Sequence, residues 1–247
     1  MNEVEDTTIK SIRAIIDSTK LSYAKIVKTN LSTGEFKINY NFINKIRLRF
    51  LRLGLKFYLY KPPRYEDDAI LFIIENYHSK LCLKILPDVW IATGEHARTS
   101  KFFETISAST KYLPRVYFSK IDRDSKSICY LYIYVEGVTI SEIINNVNKK
   151  QKSKILLSLS DCLTELVIKC KLDVNFNDMN DFIIDPENTR SIMLIDYNSF
   201  FQPSTVLDPD DLLRMVKRRA LKTLSKSGFD RKEIYKTLYG VTKENKY

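Results

Sequence analysis

Asp173-Val174-Asn175-Phe176-Asn177-Asp178-Met179-Asn180-Asp181-Phe182-Ile183-Ile184-Asp185, with Met193-Leu194-Ile195-Asp196-Tyr197-Asn198 just beyond it, is the stretch on which the reading of this chain turns. Acids and amides crowd around two short apolar runs, Phe182 to Ile184 and Ile192 to Ile195. The turn-forming residues Asp185-Pro186-Glu187-Asn188 separate the runs, so the pattern predicts two small strands joined as a hairpin. Carboxylates then stand at both ends of the hairpin, an arrangement suited to a hard cation and a phosphate.

Upstream, the character of the chain changes at Tyr134-Val135-Glu136-Gly137-Val138-Thr139, where a strand leaves through glycine into a capped helix. Strand patterns dominate before Gly137: Ala69 to Glu75, Lys80 to Leu86, Val116 to Lys120 and Ser127 to Val135. In Lys80 to Leu86, the residues Leu81, Leu83 and Ile85 share one face, and Lys84 sits on the other beside Cys82. A strand lysine taken alone is an outward, solvated side chain. Between these strands, Ala97 to Ser109 fits a helix that carries Glu104. Helices dominate after Gly137: Lys152 to Lys171 is mostly apolar, Asp208-Pro209-Asp210-Asp211 caps a helix ending in Lys217, Arg218, Arg219 and Lys222, and a last helix runs from about Asp230 to Tyr239. The acid-to-base order of the Asp208 helix suits its dipole without further function.

The first 56 residues carry less information. Ile9, Ile12, Ile15, Ile16 and Leu21 predict one amphipathic helix from Thr7 to about Lys28. From Phe42 to Tyr60 the chain is both apolar and basic. Its alternation at Ile46-Arg47-Leu48-Arg49-Phe50 reads as a half-solvated pair of strands, with a basic amphipathic surface for an anionic membrane or glycan as the competing reading.

Composition bounds the class. The 247 residues, 44% of them hydrophobic, can bury a core of two lobes. The formal charge of +10 points to an anionic partner: nucleotide, phospholipid surface, phosphorylated glycan or nucleic acid. Four dispersed cysteines without a Cys-x-x-Cys pair read as reduced, buried thiols of a cytoplasmic protein. Two histidines, His78 and His96, leave little from which to build a zinc site or a Ser/His/Asp triad. No apolar run approaches the ~20 residues of a membrane span, and the acidic start is no signal peptide, so a soluble or peripheral protein is expected.

The order of these pieces resembles the protein-kinase-like fold, from about Phe57 to Leu224, and within it the small lipopolysaccharide core heptose kinase family. Tyr134-Val135-Glu136-Gly137-Val138 looks like that family's strand and hinge. Asp181-Phe182-Ile183-Ile184-Asp185 with Leu194-Ile195-Asp196 looks like its catalytic and metal-binding hairpin. Glu104-Thr105 falls where the family's helix glutamate is expected, and Asp211-Leu212-Leu213-Arg214 resembles the start of the next kinase helix. The implied fold class is α+β, with a small, mostly antiparallel β N-lobe at 57–136, a helical C-lobe at 137–247, and residues 1–56 as an extension packed on the N-lobe.

The resemblance also implies roles. Lys84 would hold nucleotide phosphates, kept in place by Glu104; Ile133, Tyr134 and Val135 would receive adenine; Asp196 would bind Mg²⁺; and Asp173 would be the base, with Asn180 or Asp181 as second metal ligand. Three departures qualify it. Glu75 to Lys80 contains no glycine for a phosphate loop. Tyr197-Asn198 follows Asp196 in place of Phe-Gly. The family's metal-binding asparagine, five residues after its catalytic aspartate, finds Asp178 when counted from Asp173. Either the loop after Asp173 carries an insertion, or Asn175 takes the base position with Asn180 as the amide ligand.

The leading expectation is therefore an ATP- and Mg²⁺-dependent kinase acting on a hydroxyl of an anionic acceptor, a lipopolysaccharide core heptose at the inner membrane face. The alternatives are a pseudokinase module that binds a protein or nucleic acid, and a small atypical protein kinase.

Overall fold

Ile9, Ile12, Ile15 and Ile16 recur at helical spacing and line one side of α1 (Glu3–Thr19) in the computed structural model, which describes residues 3–29, 36–62, 69–87, 102–122, 127–176, 178–185, 191–195, 200–201 and 208–240. The single helix expected to Lys28 is corrected. The Thr19 hydroxyl turns back onto the Ile15 carbonyl at 2.8 Å, Lys20 takes a left-handed φ of 48°, and the helix stops. A short α2 (Tyr23–Ile26) follows, then β1 (Val27–Thr29) paired antiparallel with β2 (Phe36–Ile38).

The strand pair expected from Phe42 to Tyr60 is also corrected. Residues Tyr40–Leu51 form a helix, α3, capped by the Asn39 side chain, which accepts from the Phe42 N–H at 3.2 Å. The alternation at Ile46 to Phe50 satisfies a period of two, but Ile43, Ile46 and Phe50 recur at i, i+3 and i+7 and bury one helical face. Only the second expected strand forms, as β3 (Lys56–Lys61).

With β4 (Ile70–Glu75), β5 (Lys80–Leu86), β6 (Val116–Asp122) and β7 (Ser127–Ile133), β3 builds a five-stranded antiparallel sheet in the order β3-β4-β5-β7-β6, and a helical segment α4 over 102–107 lies in the chain between β5 and β6. Leu81, Leu83 and Ile85 point into one hydrophobic core with Ile12 and Ile16 of α1 and Ile43, Ile46 and Phe50 of α3. Phe50 stacks on Phe57, and Phe57 on Phe72, with ring centroids 4.7 Å apart in each pair. Each stacked pair adds about 0.5–1.5 kcal/mol beyond the area it buries, so the aromatic column fastens α3 to the sheet. The extension thus covers the sheet face opposite Lys84.

The chain divides into two compact units: Met1–Thr105 with Arg115–Tyr134, and Ile106–Pro114 with Val135–Tyr247. The second unit begins with β8 (Val138–Thr139) and a one-turn helix, α5 (Ile140–Ile143), entered through a capping box in which Thr139 and Glu142 bond each other's backbone N–H. Next come α6 (Lys149–Thr164), extended by a π-helical turn at Glu165–Lys169, then β9 (Asp173–Val174), a 3₁₀ turn at Met179–Asp181, β10 (Phe182–Ile184), β11 (Ile192–Leu194), β12 (Phe200–Phe201), α7 (Pro209–Lys226) and α8 (Arg231–Tyr239). The expected hairpin is present: β10 pairs antiparallel with β11 and, on its other edge, with β8. Gly137 makes this sheet feasible, because a Cβ there would lie 2.5 Å from Ile183 Cγ2 and 2.6 Å from the Ile184 carbonyl oxygen.

Candidate functional site

In the first unit the site is built on β5 and its neighbours. Lys84 stands in register between Leu71 of β4 and Tyr130 of β7. It is only 6% exposed, whereas a strand lysine taken alone is expected to be solvated. An ammonium buried this deeply requires an anionic environment or strong hydrogen-bond acceptors. Burial acts differently on Cys82, two residues away: it pushes the thiol up to about 11, against weaker opposing effects from the Tyr132 hydroxyl bond and the Lys84 charge, and so keeps it neutral.

Glu104 lies on α4. Its Oε1 accepts from the backbone N–H and the hydroxyl of Ser119, at 2.6 and 2.7 Å. These bonds fasten the carboxylate to β6, a partner that nothing local in the sequence announces.

The adenine-contact residues expected at 133–135 sit at the end of β7. The Ile133 N–H donates to the Arg115 carbonyl and the Tyr134 N–H to the Lys80 carbonyl, each at 3.0 Å, so the sheet ladder continues one residue past the strand. Lys80 Nζ rests 4.1 Å from the centroid of the Tyr134 ring, which Tyr60 meets edge-on at 6.0 Å. Val135 opens the second unit.

The hairpin that precedes the lysine strand by one, at the sheet edge, is β3–β4. The connection between β3 and β4 runs over 62–69, between strand ends at Lys61 and Ile70. That segment, largely outside the described residues, also contains no glycine. The β4–β5 turn instead closes tightly on Asn76, whose Oδ1 accepts from the N–H groups of His78 and Ser79 at 2.9 and 2.8 Å.

In the second unit, the acidic stretch separates into a buried end and an exposed end. Asp173 on β9 is 6% exposed, and both its oxygens accept from Arg219 of α7, Nη2 reaching Oδ2 at 3.5 Å. Arg219 Nη1 also donates to the Val174 carbonyl at 3.3 Å. One turn further along α7, the Thr223 hydroxyl donates to the Phe176 carbonyl at 2.8 Å. Residues 173–176 are thereby clamped to α7, while Phe176 itself packs on Phe182 with centroids 4.9 Å apart. Asn175 beside it is half-buried.

At the exposed end, Asp178 caps the 3₁₀ turn by accepting from the Asn180 N–H and Nδ2, both at 3.0 Å. Thr139 of β8 donates to Asn180 Oδ1 at 3.4 Å. Asp181 precedes β10, and its carbonyl accepts from the Ile195 N–H at 2.8 Å. The hairpin therefore sets Asp181 across from Ile195, with Asp196 next in the chain; Asp196 lies outside the described residues. Among the described residues no three His, Cys, Asp or Glu side chains gather into a metal-sized cluster. The donor chemistry on this end of the hairpin is nonetheless all oxygen, the type that a hard divalent cation takes.

Arg219 and Thr223 are the residues that sequence reasoning missed. Their signal is positional: they stand three and seven residues after Val216, flanking the buried stripe of Leu212, Val216, Ala220 and Leu224. In the sequence Arg219 reads as part of a basic helix end that suits the dipole, and Thr223 stands beside it without a role.

Comparison with known proteins bears on the fold alone. No protein-family model matches the chain, and no curated protein sequence matches it. Among solved structures, it is similar to the Mycobacterium tuberculosis PknI kinase domain, at 11% identity over 72% of this chain and 77% of that one, with a TM-score of 0.51. A point mutant of the same domain gives 13% identity over 72% and 76%, with a TM-score of 0.52. Both of these solved structures are of a protein kinase domain. With the lysine on the third strand of a five-stranded antiparallel sheet and an acid-bearing hairpin in the helical unit, the chain has a protein-kinase-like α+β fold.

Proposed function

We propose that the protein is an ATP- and Mg²⁺-dependent phosphotransferase acting on a hydroxyl of an anionic acceptor. The observation that carries this reading is Lys84, buried on the third strand of its sheet, where the kinase fold keeps the lysine that holds nucleotide phosphates. Glu104, fixed by Ser119, is its partner in this reading, and the end of β7 receives the adenine edge at Ile133 to Val135. Asp181, Asn180 and Asp196 would hold Mg²⁺, which when bound neutralises phosphate charge. A base is required to be an ionised carboxylate within reach of the acceptor hydroxyl. Asp173 takes that role by leaving its pair with Arg219, or Asp178, exposed two residues before Asn180, takes it in its place. A lipopolysaccharide core heptose is the acceptor implied by the sequence resemblance, and the basic segments supply the charge for such an anionic glycan.

A second reading is favoured by the Asp173–Arg219 pair. A carboxylate with both oxygens on one guanidinium, clamped to α7, suits a nucleotide-binding module that transfers nothing and instead engages a protein or nucleic-acid partner.

Thermal shift and turnover separate the two. ATP with Mg²⁺ is expected to raise the melting temperature, Lys84→Met to abolish the rise, and Asp196→Ala to remove its Mg²⁺ dependence. No Mg²⁺-dependent shift sinks both readings; a shift without ATP turnover on any hydroxyl acceptor establishes the second. Loss of turnover in Asp173→Asn but not Asp178→Asn assigns the base to Asp173, and the reverse assigns it to Asp178.

A further inference from the structure

α3 has two contrasting sides. Ile43, Ile46 and Phe50 enter the core, while Leu48 and Leu51 stand on the outer side at 57% and 59% exposure, followed by the exposed Leu53. Lys45, Arg47 and Arg52 surround them, all exposed. Among the described residues none of these three cations pairs with a carboxylate, and between Glu35 and Glu66 the sequence contains no acid at all. The phenylalanine column holds α3 rigidly on the sheet, so this surface is presented and not merely frayed.

We propose that the outer side of α3 docks on an anionic phospholipid surface, with the guanidinium and ammonium groups at the headgroup phosphates and Leu48, Leu51 and Leu53 entering the acyl boundary. Charge complementarity selects an anionic partner, and the leucines select among anionic partners. A nucleic-acid backbone offers no apolar phase to receive them, whereas a bilayer interface offers both within a few ångströms. No helix among the described residues is long and apolar enough to cross a membrane, so the contact is interfacial. The inference rests on α3 and the residues that follow it to Leu53, and is independent of phosphoryl transfer.

The test is flotation of the full chain with vesicles of phosphatidylcholine, with and without phosphatidylglycerol. Binding is expected only to the anionic vesicles and falls with salt. Arg47→Gln and Arg52→Gln each weaken it about fivefold. Leu48→Ser with Leu51→Ser weakens it by about tenfold or more, with an unchanged melting temperature showing that the fold is intact. The proposal is overturned by an absence of flotation at low salt, or by flotation indifferent to the leucine substitutions. It is equally overturned by retention of an RNA oligonucleotide through Arg47 and Arg52 without vesicle binding, or by a dimer in sedimentation that the leucine substitutions dissolve while vesicles are ignored.

Discussion

Arg219 donates to both carboxylate oxygens of Asp173 across a sequence separation of 46 residues, joining the middle of α7 to the strand that opens the acidic stretch. The Asp173 side chain is 8% exposed and that of Arg219 is 32% exposed, so desolvation is largely on the acid. Removing the guanidinium therefore strands a buried carboxylate, the expensive way to break such a pair.

Arg219→Ala is accordingly expected to destabilise the protein toward the lower end of the about 3–5 kcal/mol typical of orphaned buried charges, because the guanidinium itself is partly solvated. Arg219→Lys retains the charge but loses the fork, and falls between. Chemical denaturation measures both. A double-mutant cycle with Asp173→Asn should show strong non-additivity; additive effects would mean that the contact contributes nothing to the fold.

Phe50 is fully buried between α3 and β3, and its truncation opens a cavity at the joint between the extension and the sheet. Phe50→Ala is expected to lower stability by about 3–5 kcal/mol. Leu48→Ala on the same helix, exposed at 57%, should change it by less than about 0.5 kcal/mol. Equal effects in urea melts would contradict the assignment of the two helix faces.

Gly137 has a φ of 147°, a region closed to side chains, and its α-carbon abuts β10. Gly137→Ala must shift Ile183 and the β10 backbone together, with a backbone penalty of about 1–3 kcal/mol before the clash is counted. Amide exchange over 182–184 and 192–194 should quicken in this variant, and unchanged protection there would show that the close approach is not needed.

Burial dominates the titration of the cysteines. It pushes Cys82 up to about 11 and Cys129 up to about 12 from an ordinary value of 9.0. The folded state thus favours the neutral thiol, and its contribution is complete below pH 9.0. As pH rises from 9.0 toward 11, the unfolded chain ionises first, and stability falls. Denaturation midpoints should decline across that window, less so in Cys82→Ala with Cys129→Ala once each is compared with its own neutral-pH value. Near pH 8, iodoacetamide should label these two thiols only as fast as the protein opens.

Local windows of sequence carried the β10–β11 hairpin, the Lys80 to Leu86 strand with Lys84 opposite Leu83, and the glycine at 137, because each is encoded by residues within a few positions of one another. The same windows misread α3. Ile46-Arg47-Leu48-Arg49-Phe50 fits a period of two as well as a helix, and only the phenylalanine column on β3 and β4 decides which apolar residues turn inward. The α1 break at Lys20 was equally hidden, since the apolar spacing runs on through Leu21.

By itself, the sequence determined the strands from β4 to β7 and the positions of a strand lysine and an acid-bearing hairpin, since spacing and turn chemistry are properties of neighbouring residues. Tertiary structure alone decided the burial of Lys84, the attachment of Glu104 to Ser119, and the division of one acidic stretch into an end clamped by Arg219 and Thr223 and an end where Asp178 and Asn180 are exposed. The physical reason is that a polar side chain's partner depends on which turn of a distant helix packs against it, and no local pattern of apolar residues records that choice.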